Sequence, residues 1–152
     1  MKNINAIYKE NRVYSLQKAD LKITENLVEG NLNADLVIVY HAEGENVLTE
    51  DLKQFLIKLL GAVKHNLENT LIINDLSGIK FKQILNKTQA KKLIVFGSTR
   101  NHLGLNLNLK RYKTIVIQDC ECIFVDKLSI LKDDNQRKGA LWSLMKTMFN
   151  IA

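Results

Sequence analysis

Three stretches of this chain are apolar without a break and rich in β-branched residues: Leu36-Val37-Ile38-Val39-Tyr40, Leu71-Ile72-Ile73 after Thr70, and Leu93-Ile94-Val95-Phe96 after Lys92. A strand with one wet face alternates apolar and polar residues, whereas a strand apolar on both faces has to be covered on both. The usual solution is a parallel sheet with crossover helices. Between the first two stretches, Leu52, Phe55, Leu56, Leu59, Leu60 and Val63 recur at helical spacing. Thr49 is the expected N-cap, and Glu50 and Asp51 put negative charge on the first turn, where the helix dipole favours it. Phe81, Ile84 and Leu85 mark a shorter helix before the third stretch. The pattern is β-α-β-α-β, and right-handed crossovers place helices on both faces of the sheet.

Beyond residue 100 the pattern changes. Leu103, Leu105, Leu107 and Leu109 alternate with polar residues and Gly104, as in an extended segment held to the core by its leucines. Thr114–Ile117 and Cys122–Val125 flank Gln118–Glu121, which fits a hairpin or two successive strands. A last helix is expected with Asp133 as its cap and Gln136 as the return partner of a capping box. Leu141, Trp142, Met145, Met148 and Phe149 form its apolar stripe, which makes Trp142 a core residue before a recognition residue. Val13-Tyr14-Ser15-Leu16 has the composition of a short strand, but residues 1–30 carry the weakest pattern. They read as a loosely attached N-terminal segment, and residues 31–152 as a single α/β domain.

The 152 residues suffice for one domain with its own core. No apolar run approaches the roughly 18 residues of a membrane span, and no signal peptide is visible. Cys120 and Cys122 stand too close in sequence for an unstrained disulfide, so a reduced, cytoplasmic protein is expected. They are also too few for a structural metal site, with His41, His65 and His102 scattered along the chain. No metal and no cofactor are expected. The net charge of +6 comes from 18 Lys and 4 Arg against 16 acidic residues, a usage that codon bias alone produces. Its most suggestive cluster is Arg111-Tyr112-Lys113, where an aromatic that can stack a base sits between two cations. A solvated basic face explains it equally well.

His41 and Glu43 follow the first strand, at the carboxyl end where open α/β sheets bind ligands. Gly97 and Ser98 close the third strand, in neither a phosphate loop nor a nucleophile elbow. A base with an orienting carboxylate is one reading of His41 and Glu43, and two polar residues opening a surface loop is the other. A small-ligand site at this end of the sheet would draw on Tyr40, Gly97 and Ser98.

Four pieces of the second half, in order, resemble the psi subunit of bacterial DNA polymerase III in a divergent, short form. They are Lys91-Lys92-Leu93-Ile94-Val95-Phe96-Gly97, followed by Leu103-Gly104-Leu105; then Leu128-Ser129-Ile130-Leu131; then Lys138-x-x-Leu141-Trp142-x-x-Met145. The resemblance runs over about residues 35–149 and implies a uracil-DNA-glycosylase-like three-layer sandwich with a short, mainly parallel sheet. It implies a non-enzymatic replisome adaptor, joining the clamp loader to a chi-like subunit, with an N-terminal segment that docks on the clamp loader. Ile4, Ile7 and Tyr8 are the anchors nominated for that docking. The active glycosylases of this fold carry Asp and Pro after the first strand, where this chain has Tyr40-His41-Ala42-Glu43-Gly44. Their His-Pro-Ser motif is matched only by Ser129 in Val125-Asp126-Lys127-Leu128-Ser129. Tyr40, His41, Glu43, Gly97, Ser98 and Ser129 would then be a vestigial or ligand-binding site without catalytic residues, and direct nucleic-acid contact would be weak or absent. The alternatives are a glycosylase-like or other nucleic-acid-binding protein, and a small-ligand-binding α/β domain.

Overall fold

The computed structural model describes residues 28–41, 48–75, 79–98, 104 and 110–151. Ile4, Ile7, Tyr8, Glu43, the strand expected at 13–16 and the leucine-punctuated segment, Gly104 apart, lie outside them. The chain is an α/β protein built on one six-stranded mixed sheet. Its strands are β1 (Val28–Gly30), β2 (Leu36–Tyr40), β3 (Leu71–Asn74), β4 (Lys92–Phe96), β5 (Thr114–Ile117) and β6 (Cys120–Val125), in the spatial order β1-β3-β2-β4-β6-β5. The helices among the described residues are α1 (Glu50–Ala62), α2 (Phe81–Lys87), α3 (Leu128–Lys132) and α4 (Asn135–Met148).

The four inner strands β3, β2, β4 and β6 are mutually parallel, and the outer strands β1 and β5 are antiparallel to their neighbours. All five residues of β2 are buried, as are all four of β3. Alternation then divides the sheet between two cores. Leu36, Ile38, Tyr40, Ile72, Ile94, Phe96, Ile123 and Val125 face Leu56 and Leu60 of α1, Leu128 and Leu131 of α3, and Leu141, Met145 and Met148 of α4. Val37, Val39, Leu71, Ile73, Leu93, Val95, Cys122 and Phe124 face Phe81 and Ile84 of α2. Helices thus cover both faces, as the uninterrupted apolar strands require.

Thr49 caps α1 by accepting from the Leu52 amide, and its hydroxyl is 3.4 Å away. The last helix begins one residue later than expected. Asp134 is its cap, accepting from the Arg137 amide at 3.0 Å, while Asp133 closes the short helix α3 that the sequence pattern had merged into the approach. Residues 114–125 resolve into a hairpin whose two-residue turn, Gln118-Asp119, has positive φ at both positions (49° and 66°). That is the turn geometry whose twist matches paired strands. The sheet also reaches back to Val28, ahead of the domain start expected at residue 31, because Val28–Gly30 pair with Leu71–Ile73.

Gly97 ends β4 with φ +85°, and a Cβ there would lie 2.7 Å from the Cβ of Lys127. Both the backbone conformation and the space admit only glycine. Gly139, by contrast, lies within α4 with nothing within 4 Å of where a Cβ would stand, so it has the entropic cost of glycine without its benefit. Gly97→Ala is therefore expected to destabilise the fold by about 2 kcal/mol or more. Gly139→Ala is expected to stabilise it by about 0.5–1 kcal/mol. Urea unfolding of the two variants beside the parent checks both signs.

Candidate functional site

The order β3-β2-β4-β6 puts a topological switch point between the carboxyl ends of β2 and β4, where the chain leaves in opposite directions. Tyr40 and Phe96 are register partners there, and the His41 amide donates to the Phe96 carbonyl at 2.8 Å. One step across, the Gly97 amide donates to Val125 at 2.9 Å. His41, Gly97 and Ser98 are therefore brought together at this end of the sheet.

What binds them is a residue the sequence reading did not single out. Asp75, directly after β3, has its side chain only 1% exposed, and its Oδ2 is 2.8 Å from His41 Nδ1. Ser98 donates its hydroxyl to the same Oδ2, also at 2.8 Å. One carboxylate oxygen thus clasps the ends of three neighbouring strands, β2, β3 and β4. Its sequence signal was present in Asn74-Asp75, a polar pair at the carboxyl end of an apolar run.

The chemistry of this clasp is set by which atoms meet. An aspartate on Nδ1 orients an imidazole, as in a catalytic dyad. In that dyad the nucleophilic hydroxyl bonds the imidazole, whereas here Ser98 bonds the carboxylate. The arrangement ties the ends of three strands together. Tyr40 is buried beside it; burial pushes its phenol pKa up, partly offset by a hydrogen bond with Asn74. Ser129 is exposed on α3. An open depression of about 640 Å³ lies at the other, amino end of the parallel strands, between Glu29, Gly30, Asn31, Leu32, Leu67 and Glu68.

The suspected nucleic-acid cluster is engaged elsewhere. Asp126, just after β6, accepts from Arg111 Nη1 and from the Tyr112 hydroxyl, both at 2.6 Å, and pairs with Arg137 Nη1 of α4 at 3.1 Å. Burial alone would raise the Asp126 pKa, but the Tyr112 and Arg111 hydrogen bonds and the two guanidinium charges outweigh it and hold it below the usual value. Tyr112 is pushed up to about 12, first by burial and then by its bond to Asp126. Its ring packs against the first core, and of the three cluster residues Lys113 makes no ion pair among the described residues.

Cys120 and Cys122 both lie on the second-core side of β6, and the Cys122 thiol donates to the Cys120 carbonyl at 3.4 Å. Contact with Cys120 and then burial push its pKa up, so it stays a thiol. Trp142 is half-buried against the first core, with Lys146 Nζ 5.9 Å from its ring centre. No helix among the described residues is long and apolar enough to cross a membrane. The class that fold and site define is an α/β domain with its switch point closed by a side-chain clasp. No protein-family model matches the chain, and no curated protein does either.

The two networks predict different pH and mutational signatures. Ser98→Ala, which removes a buried hydrogen bond to a carboxylate, is expected to cost about 1.5–3 kcal/mol in urea unfolding. Asp126 has its folded pKa depressed, so its contribution is present above the unfolded value near 4 and is lost as pH falls through the folded one. Tyr112 has its folded pKa raised, so its contribution is complete below the unfolded value of 10.0 and is lost as pH rises toward about 12. Asp126→Asn should flatten the acid limb of the stability profile and Tyr112→Phe the alkaline limb. Unfolding midpoints measured across the pH range test both.

Proposed function

We propose that this chain is a non-enzymatic adaptor of the replisome, resembling the psi subunit of DNA polymerase III and sharing its uracil-DNA-glycosylase-like fold. The observation that carries the reading is that three of the four separated pieces of sequence behind the resemblance, those at 91–97, 128–131 and 138–145, contribute to one packing unit. Ile94 and Phe96 of the first, Leu128 and Leu131 of the second, and Leu141 and Met145 of the third belong to a single core. The Phe-Gly strand end is explained by the same unit, because Gly97 makes room for Lys127 at the start of α3.

The state of the switch point favours an adaptor over an enzyme. A base-flipping enzyme needs a pocket that reads the extruded base, and here His41 and Ser98 are joined by Asp75 across the place where it would open. In this reading the clamp loader is engaged by residues 1–20, with Ile4, Ile7 and Tyr8 as anchors, and the folded domain carries the chi-like partner. The protein acts in the cytoplasm and leaves nucleic acid to its partners, since Arg111 and Tyr112 are held by Asp126.

The test is a pull-down of clamp-loader subunits with the full chain and with a variant lacking residues 1–20. The full chain is expected to retain them and the shortened one to lose them; equal retention overturns the docking role. Incubation with uracil-containing DNA is expected to yield no abasic sites. Base release that disappears in His41→Ala would replace the adaptor by an enzyme.

A further inference from the structure

Helices α1 and α4 cover the same face of the sheet, and α3 packs against both. Trp142 of α4 and Phe55 of α1 are half-buried: each packs on the first core and keeps part of its surface in solvent. A lysine lies over each ring. Lys138 Nζ, from α4, is 6.0 Å from the centre of Phe55, and Lys146 Nζ is 5.9 Å from that of Trp142. Lys138, Trp142 and Lys146 follow at steps of one helical turn, so they share a stripe of α4 whose two lysine Cα atoms stand about 12 Å apart. The helices supply little charge to answer them. Helix α4 has no Asp or Glu, and α1 has only Glu50 and Asp51 in its first turn. Asp51 is taken by Lys132 of α3, and the acids before α4, Asp126 and Asp134, are taken by Arg137. Neither Lys138 nor Lys146 makes an ion pair among the described residues.

We propose that this flank of α1 and α4 docks an acidic segment of another protein, one whose carboxylates stand on either side of an apolar side chain. The half-buried rings of Trp142 and Phe55 are the apolar anchor, the kind of contact that carries most of the energy of an interface. Each lysine stem is already laid along a ring, so its ammonium group is held where a carboxylate can meet it and less side-chain freedom is lost on binding. The charge excludes a second copy of this chain, whose own flank is cationic and repels its like. It would also suit a single nucleic-acid strand, but a base stacks on a bare ring. Here an ammonium group lies over each ring and the core lies behind it, which favours carboxylates over bases. The proposal does not depend on the adaptor reading, which stands or falls on residues 1–20 and the clamp loader.

Trp142 is the single tryptophan of the chain, so its emission reports on this flank alone. The probe is a short synthetic peptide with glutamates on both sides of a central leucine-phenylalanine pair, titrated into the full chain at about 0.15 M salt. A saturable change in Trp142 emission is expected, with a dissociation constant of about 10–300 μM that rises with added salt. Lys138→Glu and Lys146→Glu should each raise that constant about threefold or more, and the double variant should not bind. Lys82→Glu makes the same change in net charge on α2, at the opposite face of the sheet, and should leave the constant within about twofold. Circular dichroism of each variant establishes that the fold is kept. Three results overturn the proposal: unchanged emission up to about 1 mM peptide, binding that Lys82→Glu weakens as much as Lys138→Glu does, or an oligothymidylate that shifts the emission at lower concentration than the peptide.

Discussion

Strand β2 lies at the centre of the sheet with none of its five side chains in water, and the other elements are arranged by the need to keep it so. Its even-numbered residues require a layer on one side and its odd-numbered residues a layer on the other, which is met by α1, α3 and α4 on the first face and α2 on the second. Its backbone groups require a strand on each edge, which β3 and β4 provide in parallel register. A parallel neighbour cannot be reached by a tight turn, so each crossover carries a long connection with a helix or hairpin of its own. The short outer strands follow from the same demand, since β1 and β5 pair the outer edges of β3 and β6.

The parallel arrangement also gathers strand ends. The four inner strands end on the same side of the sheet, and two carboxylates, Asp75 and Asp126, bind the chain together there. Asp75 joins the ends of β2, β3 and β4, and Asp126 joins the approach to β5 to the start of α4. Asp126 is held by three donors shared between its two oxygens, which is what allows a carboxylate to sit away from water without a large penalty. Residues that looked available for chemistry or nucleic acid, namely His41, Ser98, Arg111 and Tyr112, are used to hold the frame. Among the described residues, three further basic side chains lie over aromatic rings: Lys92 over Phe149, Lys138 over Phe55 and Lys146 over Trp142.

Most of the architecture was legible in the chain because burial on both faces writes an unmistakable pattern. The three apolar runs became β2, β3 and β4, and the spacing from Leu52 to Val63 became α1 with Thr49 as its cap. The hairpin was legible as one of two options, and its turn needed the structure because Gln118-Asp119 lacks the glycine that usually marks positive φ. Strand β1 was hidden because three residues, two of them exposed, leave no periodicity to read. Asp133 and Asp134 are adjacent acids that could each cap a helix; the packing of α3 decided between them.

By itself, then, the sequence determined the α/β class, the parallel centre of the sheet and the residues of both cores, since hydrophobic burial depends on side-chain type and local spacing. It also placed His41, Gly97 and Ser98 at strand ends on one side of the sheet. Only the tertiary structure decided that Asp75, 34 residues from His41 and 23 from Ser98, would close over both. It likewise decided that Asp126 would claim Arg111 and Tyr112. A hydrogen bond depends on where two atoms lie to within a few tenths of an ångström, and that position is fixed by strand order and register, which no local pattern in the chain encodes.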